Sequence, residues 1–165
     1  MKNDGYLVSS ETIRLKSSIL EDSWVSGFTD GEGCFYIGVY ERSDTASGFQ
    51  VLPEFVIVQH ENDIQILYKL KEFFGCGKVV TNHKSRKAFR VRKLSHLREI
   101  IIPFFWKNRL HTKKWLDFLS FRKVVDVVML RDEHLTVEGI KKIFLIKKRM
   151  NRGRLRHSPT VSEME

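Results

Sequence analysis

Two carboxylates stand one residue apart in Asp30-Gly31-Glu32-Gly33, each followed by a glycine. An acid between glycines is open to close approach by another backbone, because neither neighbour carries a Cβ. Of the two only Glu32 is so placed, and open carboxylates suit a hard divalent cation. Magnesium takes one or two of them and completes its shell with water and phosphate oxygens. The charge pattern also points to phosphate. Lys78 to Arg98 carries eight Lys or Arg and no acid, and Lys141 to Arg156 carries eight more and no acid. Clustered cations favour a polyanion, since each phosphate neutralised releases condensed counterions. The plainer reading of such runs is a solvated basic surface. The histidines His60, His83, His96 and His111 are too scattered to form a His-Cys or His-Asn nuclease site.

The elements that would position these residues follow from periodicity. Asp22 or Ser23 is expected to cap a short helix through Trp24, Val25, Ser26, Gly27 and Phe28. Asp30 to Gly33 is expected to break it, because glycine tolerates the left-handed conformations that end helices. Cys34 to Arg42 alternates, with Phe35, Ile37 and Val39 on one side and Tyr36, Tyr40 and Arg42 on the other, which predicts a half-buried strand. Phe49 to Gln59 reads as a second strand, with Pro53 at a bend or an edge. Asn62 can cap a helix whose Leu67, Leu70 and Phe74 turn inward and which Gly75 ends. Lys78 to Lys84 and Ala88 to Lys93 read as two strands about a turn near Ser85. Helices follow over Ser95 to Ile102, stopped by Pro103, then Thr112 to about Leu130, then Thr136 to about Met150.

The order is α-β-β-α-β-β-α with further helix at the C-terminus, an α+β domain with helices on one face of four strands. The opposite face collects Tyr36, Tyr40, Arg42, Glu54, Lys78, Asn82, Arg90 and Arg92. A ribbon of such side chains can enter a DNA major groove, where base edges are distinguishable; a solvent-facing sheet is the bland alternative. The second hairpin holds no acid, which favours DNA.

Composition bounds the rest. The 165 residues suggest one domain, and 42% hydrophobic content suffices for a core. The net charge is +9, from 29 basic and 20 acidic residues. No apolar run is long enough to span a membrane. Met1 to Leu20 lacks the pattern of a signal peptide, and Asp4 and Glu11 interrupt any transit-peptide look. Cys34 and Cys76 form no Cys-x-x-Cys pair, so neither a zinc knuckle nor a disulfide framework is supported. A reduced, intracellular compartment fits. We expect a leader over 1–22, a domain over 23–154 and a tail over 155–165.

Val25-Ser26-Gly27-Phe28-Thr29-Asp30-Gly31-Glu32-Gly33 resembles the motif of the LAGLIDADG homing endonucleases. Four more segments are similar to that family in the same order: Phe55-Val56-Ile57-Val58-Gln59, Phe74-Gly75-Cys76-Gly77, Leu110-His111-Thr112-Lys113-Lys114, and the stretch from Leu135-Thr136 through Gly139-Ile140 to Met150-Asn151 and Gly153-Arg154. One short motif is weak; five in order are specific.

The resemblance implies an αββαββα fold with a curved four-stranded antiparallel sheet and extra C-terminal helices. It implies metal-dependent, site-specific cutting of both strands of double-stranded DNA, with magnesium (or manganese) and no small-molecule substrate or membrane. It assigns Glu32 and the Gly31 backbone to the metal, Asp30 to bracing, and catalytic roles to Gln59 and to Lys113 or Lys114, with Lys107 and Arg109 as lesser candidates. Lys147 and Lys148 would grip phosphate. One motif per chain is too little for two cleavage centres, so the resemblance implies a homodimer joined through Trp24, Val25, Ser26, Gly27 and Phe28. Such a dimer would read a near-palindromic target. It also suggests a mitochondrion or chloroplast as the setting. The rivals are an intron maturase or non-cutting binder of the same fold, and a basic ribosome-associated factor, whose loop-rich, Lys-heavy text is missing.

Overall fold

The structure, a computed structural model, describes residues 20–131 and 136–150. Most of the expected leader, the expected tail, and Leu135, Asn151, Gly153 and Arg154 of the family-like closing stretch lie outside them. The elements are α1 (Asp22–Glu32), β1 (Gly33–Glu41), β2 (Phe49–His60), α2 (Ile64–Phe74), β3 (Lys78–His83), β4 (Arg86–Val91), α3 (Ile102–Lys107), α4 (Lys114–Asp126) and α5 (Val137–Lys148). The predicted α+β order is therefore the observed one. All strand pairs are antiparallel, in the order β1-β2-β4-β3.

Alternation places the apolar side of every strand against the helices. Phe35, Ile37, Phe55, Ile57, Phe89 and Val91 are at most 1% exposed and meet Leu67, Leu70, Phe105, Phe118 and Phe121. Phe35 lies at the centre of an aromatic cluster, with ring centroids 5.2–5.4 Å from Phe55, Phe105, Phe118 and Phe121. Such pairs add about 0.5–1.5 kcal/mol each beyond burial. Because Phe35 follows Glu32 by three residues, the junction of α1 and β1 is pinned to α3 and α4.

Pro53 falls where β2 is flanked by β1 alone, since β4 pairs only with Phe55 to His60. It is an edge position, as expected for a residue with no N–H. Gly75 ends α2 at φ 63°, as its lack of a Cβ allows.

Four local expectations are corrected. Neither Asp22 nor Ser23 caps α1; Glu21 precedes it in extended conformation without a side-chain cap. Asn62 does not cap α2: the position before the helix is Asp63, which makes no side-chain cap, and a 3-10 turn precedes it that His60 caps, its Nδ1 accepting from the Asn62 N–H at 3.2 Å. Pro103 does not stop a helix. Helical backbone runs from Leu94–His96 through a π turn at Leu97–Ile101 into α3, and the wider turn accommodates a residue with no N–H to donate. β4 starts at Arg86 and ends at Val91, so Arg92 and Lys93 lie just past it. Among the described residues, no helix is long and apolar enough to cross a membrane.

Candidate nuclease centre and nucleic-acid face

Helix α1 runs through the acidic motif. It includes Asp30, Gly31 and Glu32, and Gly33 follows it at φ −76°, ψ 155°. The glycines are thus not there for left-handed backbone. Gly33 is needed for close packing: a Cβ would stand 2.5 Å from Thr29 Cγ2 and 2.8 Å from the Thr29 carbonyl oxygen that the Gly33 N–H bonds. Gly27 and Gly31 are the reverse case. Both are exposed, and a Cβ on either would meet nothing within 4 Å. Four residues apart, they share one face of α1. Trp24, 42% exposed, stacks on Phe28 at 4.7 Å beside them.

The inner face of α1 is taken by the chain itself. Val25 is fully buried, and Ser26 is 5% exposed, its hydroxyl donating to the Asn108 carbonyl at 3.2 Å. This corrects the expected dimer contacts: Val25 and Ser26 pack inside their own chain and Phe28 is half-buried against its core, leaving Trp24, Gly27 and Gly31 exposed on the outer face. The Asn108 amide also donates to Asp22 at 3.2 Å. Nothing in the sequence singled out Asn108, because its partners lie more than 80 residues away.

The end of α1 is held at two points. Asp30 accepts from the His111 N–H at 2.7 Å, the Thr112 hydroxyl at 2.7 Å and the Thr112 N–H at 3.3 Å. Partial burial, the largest single influence, opposes ionisation of Asp30. The bonds from His111 and Thr112 and the charge of Lys114 together outweigh it and hold the carboxyl below its ordinary value. Lys114 supplies the second hold. Its Nζ donates to the carbonyls of Thr29 at 2.8 Å, Asp30 at 2.9 Å and Gly31 at 3.4 Å. Of the two candidate lysines, Lys114 is therefore the one directed at the motif, while Lys113 lies exposed at the start of α4. A lysine is a poor choice for the first turn of its own helix, but here it meets the negative end of α1's dipole. Burial lowers the Lys114 pKa, against the pull of nearby Cys34, Asp30, Glu32 and Asp117.

Glu32 itself is exposed at the last position of α1. Gln59 lies two residues beyond Ile57, the partner of Gly33, so it stands at the same end of the sheet. Among the described residues, no three His, Cys, Asp or Glu converge into a closed metal site. What the end of α1 offers is one exposed carboxylate, Glu32, and the Gly31 carbonyl, which only a 3.4 Å contact from Lys114 engages. That donor set fits magnesium. Of the lesser candidates, Arg109 is stacked over Trp115 at 4.8 Å, and Lys107 is exposed at the end of α3.

The outer sheet face brings most of the remaining predicted residues together. Tyr36 pairs with Glu54, and Lys78 and Val56 with Arg90. Arg90 and Arg92 both bond Glu54, and Arg90 also bonds Asn82. The Tyr40 ring lies along its strand over Gly38, where a Cβ would be 2.5 Å from it. Lys78, Asn82, Arg90 and Arg92 line a groove of about 780 Å³ together with Lys93 and His96. Arg42 departs from the group. It lies past β1 in the turn before β2, its Nε and a terminal nitrogen donating to the two carboxylate oxygens of Asp44 at 2.6 and 3.0 Å. Lys147 reaches the face from α5, its ammonium 5.7 Å from the Tyr36 ring centre, whereas Lys148 is exposed at the helix end.

Known proteins share this arrangement. The chain is 32% identical over 136 residues to probable intron-encoded endonuclease 2 of Neurospora crassa, covering 81% of this chain and 30% of that protein. It spans less than a third of the length of the first curated relatives it matches. Among solved structures, the homing endonuclease I-TnaI is 49% identical with a TM-score of 0.76, covering 88% of this chain and 99% of that one. The LAGLIDADG homing endonuclease I-SmaMI, bound to cleaved DNA, is 30% identical with a TM-score of 0.77, covering 81% of this chain and 45% of that one. The family model described as LAGLIDADG endonuclease matches residues 25–125, a span that runs from the motif helix through the sheet to α4, and so this chain belongs to the LAGLIDADG endonuclease family.

Proposed function

We propose that this chain is a site-specific DNA endonuclease that cuts both strands of a long, near-palindromic target as a homodimer, with magnesium or manganese. The observation that carries the reading is Glu32: an exposed carboxylate at the end of a helix that is braced from within and bare of side chains at two points on its outer face. The identity to endonucleases, one of them seen on cleaved DNA, supports the substrate class. The name of the Neurospora crassa relative, an intron-encoded protein, supports an intracellular setting, in a mitochondrion or chloroplast as the resemblance implies.

A divalent ion bound here supplies positive charge against the phosphate and a water of lowered pKa. The protein's own residues do the rest. Glu32 and the Gly31 carbonyl hold the ion at an open edge. Asp30 and Lys114 fix the direction in which Glu32 leaves the helix, and Gln59 can orient a water at the same end. The basic sheet face fixes the duplex over that end. A second copy, brought in along Gly27 and Gly31, supplies the second Glu32 for the other strand, and its symmetry sets the near-palindrome.

The test is selection of cleaved molecules from a randomised near-palindromic duplex library with magnesium present. Discrete double-strand breaks in one sequence class, silenced by chelator, are the expected result. Binding without breaks, or breaks that persist in chelator, would contradict the proposal.

A further inference from the structure

The face that meets DNA in this reading carries a buried acid. Glu54 is 7% exposed. A carboxylate taken out of water needs compensating partners, and it has two. Its Oε1 lies 3.2 Å from a terminal nitrogen of Arg90, and its Oε2 accepts from Arg92 Nε. Both oxygens are therefore engaged. The two arginines differ in what they have left. Arg90 has both terminal nitrogens engaged within the sheet: the second donates to Asn82 Oδ1, while Nε is buried without a partner and the side chain is 24% exposed. Arg92 is bonded only through Nε, its side chain is 64% exposed, and among the described residues its two terminal nitrogens have no other partner. Strand register explains the grouping, since Phe55 opposite Val91 sets Glu54 beside Arg92.

We propose that Arg92 is the base-reading arginine of this face, and that Glu54 and Arg90 are positioning residues that touch no base. The inference rests on the reading of the chain as a sequence-specific DNA endonuclease. Two parallel N–H groups at the free end of a guanidinium match O6 and N7 of guanine. Fixing Nε beforehand removes part of the ordering cost that a free arginine meets on binding. Arg90 completes the device by neutralising the other oxygen of Glu54, which would otherwise repel phosphate. A glutamate that read DNA directly would accept from the N4 amine of cytosine, but here Glu54 is 7% exposed and both of its oxygens are turned to the protein's own arginines.

The test compares binding selections from a randomised duplex library by the full chain and by Arg92→Ala, Arg92→Lys, Arg90→Ala and Glu54→Gln. Thermal melting is followed on each. Arg92→Ala should lose guanine preference at one position per half-site by roughly tenfold to a hundredfold, and Arg92→Lys should not restore it. Glu54→Gln and Arg90→Ala should weaken preference at that same position, and Glu54→Gln should add nothing to Arg92→Ala. A purely structural role would lower melting temperature and all affinities alike without moving one position, and that result would overturn the inference. So would a Glu54→Gln effect at a cytosine position that Arg92→Ala leaves untouched. If Glu54→Gln fails to fold, Arg92→Lys against Arg92→Ala decides whether the fork is read. A wild type that selects no sequence at all would instead overturn the DNA reading beneath it.

Discussion

Asp30 takes three hydrogen bonds from His111 and Thr112, while Glu32, two residues on, is exposed at the helix end. The same side-chain chemistry is thus divided into a brace and a free ligand by what surrounds it. The bracing carries a pH signature. A carboxyl whose folded pKa is depressed contributes stability above its unfolded value and loses it as pH falls through the folded one. For Asp30 that window lies below the ordinary value of 3.8. Asp30→Asn should therefore be less stable than wild type at neutral pH, and the gap should narrow on acidification through that window. Denaturant unfolding at stepped pH measures it, and a gap constant with pH would remove Asp30 from the brace. The sequence showed both acids and the family-like role of each. It could not show His111 and Thr112 as the supports of Asp30, since hydrogen bonds across 80 residues leave no local pattern.

At the scale of elements, α1 has two faces that the sequence did not separate. Trp24, Val25, Ser26 and Phe28 are adjacent, and only the sheet decides which pair turns inward. Strands were easier, because alternation with period two marks them directly, just as the positive-φ Gly75 marks the end of α2. The π turn before Pro103 was hidden because proline reads as a stop unless a wider turn precedes it. The open face of α1 yields a clean prediction. A Cβ at Gly27 meets nothing within 4 Å in its own chain, and replacing a helical glycine favours the helix by about 0.5–1 kcal/mol. Gly27→Leu should thus leave the melting temperature of the monomer unchanged or raised. If two α1 helices cross at Gly27, the same change overpacks the contact, at about 1–3 kcal/mol. Sedimentation should then show loss of dimer with the fold intact. A Gly27→Leu protein that dimerises as wild type does would move the interface elsewhere.

At the scale of the whole molecule, the basic side chains of the described residues expected to meet DNA divide between a sheet face with a bonded network and the helix end at Lys148. The network can discriminate; the helix end can only attract. Lys148→Ala should weaken binding to all sequences alike and reduce the slope of log affinity against log salt by about one unit. An unchanged slope would mean that Lys148 does not face the duplex. The basic runs were legible in the sequence, but their division was not: Arg42 is diverted to Asp44, Lys147 joins the Tyr36 side, and Glu54 turns out to bind the protein's own arginines. The central claim is that Glu32 serves cutting while other surfaces serve binding. It is tested most directly by Glu32→Gln, with cleavage and affinity measured on the same selected duplex in magnesium. Cutting of both strands should be abolished while affinity stays within about tenfold, a change of ~1.4 kcal/mol. Cleavage by Glu32→Gln at the wild-type rate would contradict the account.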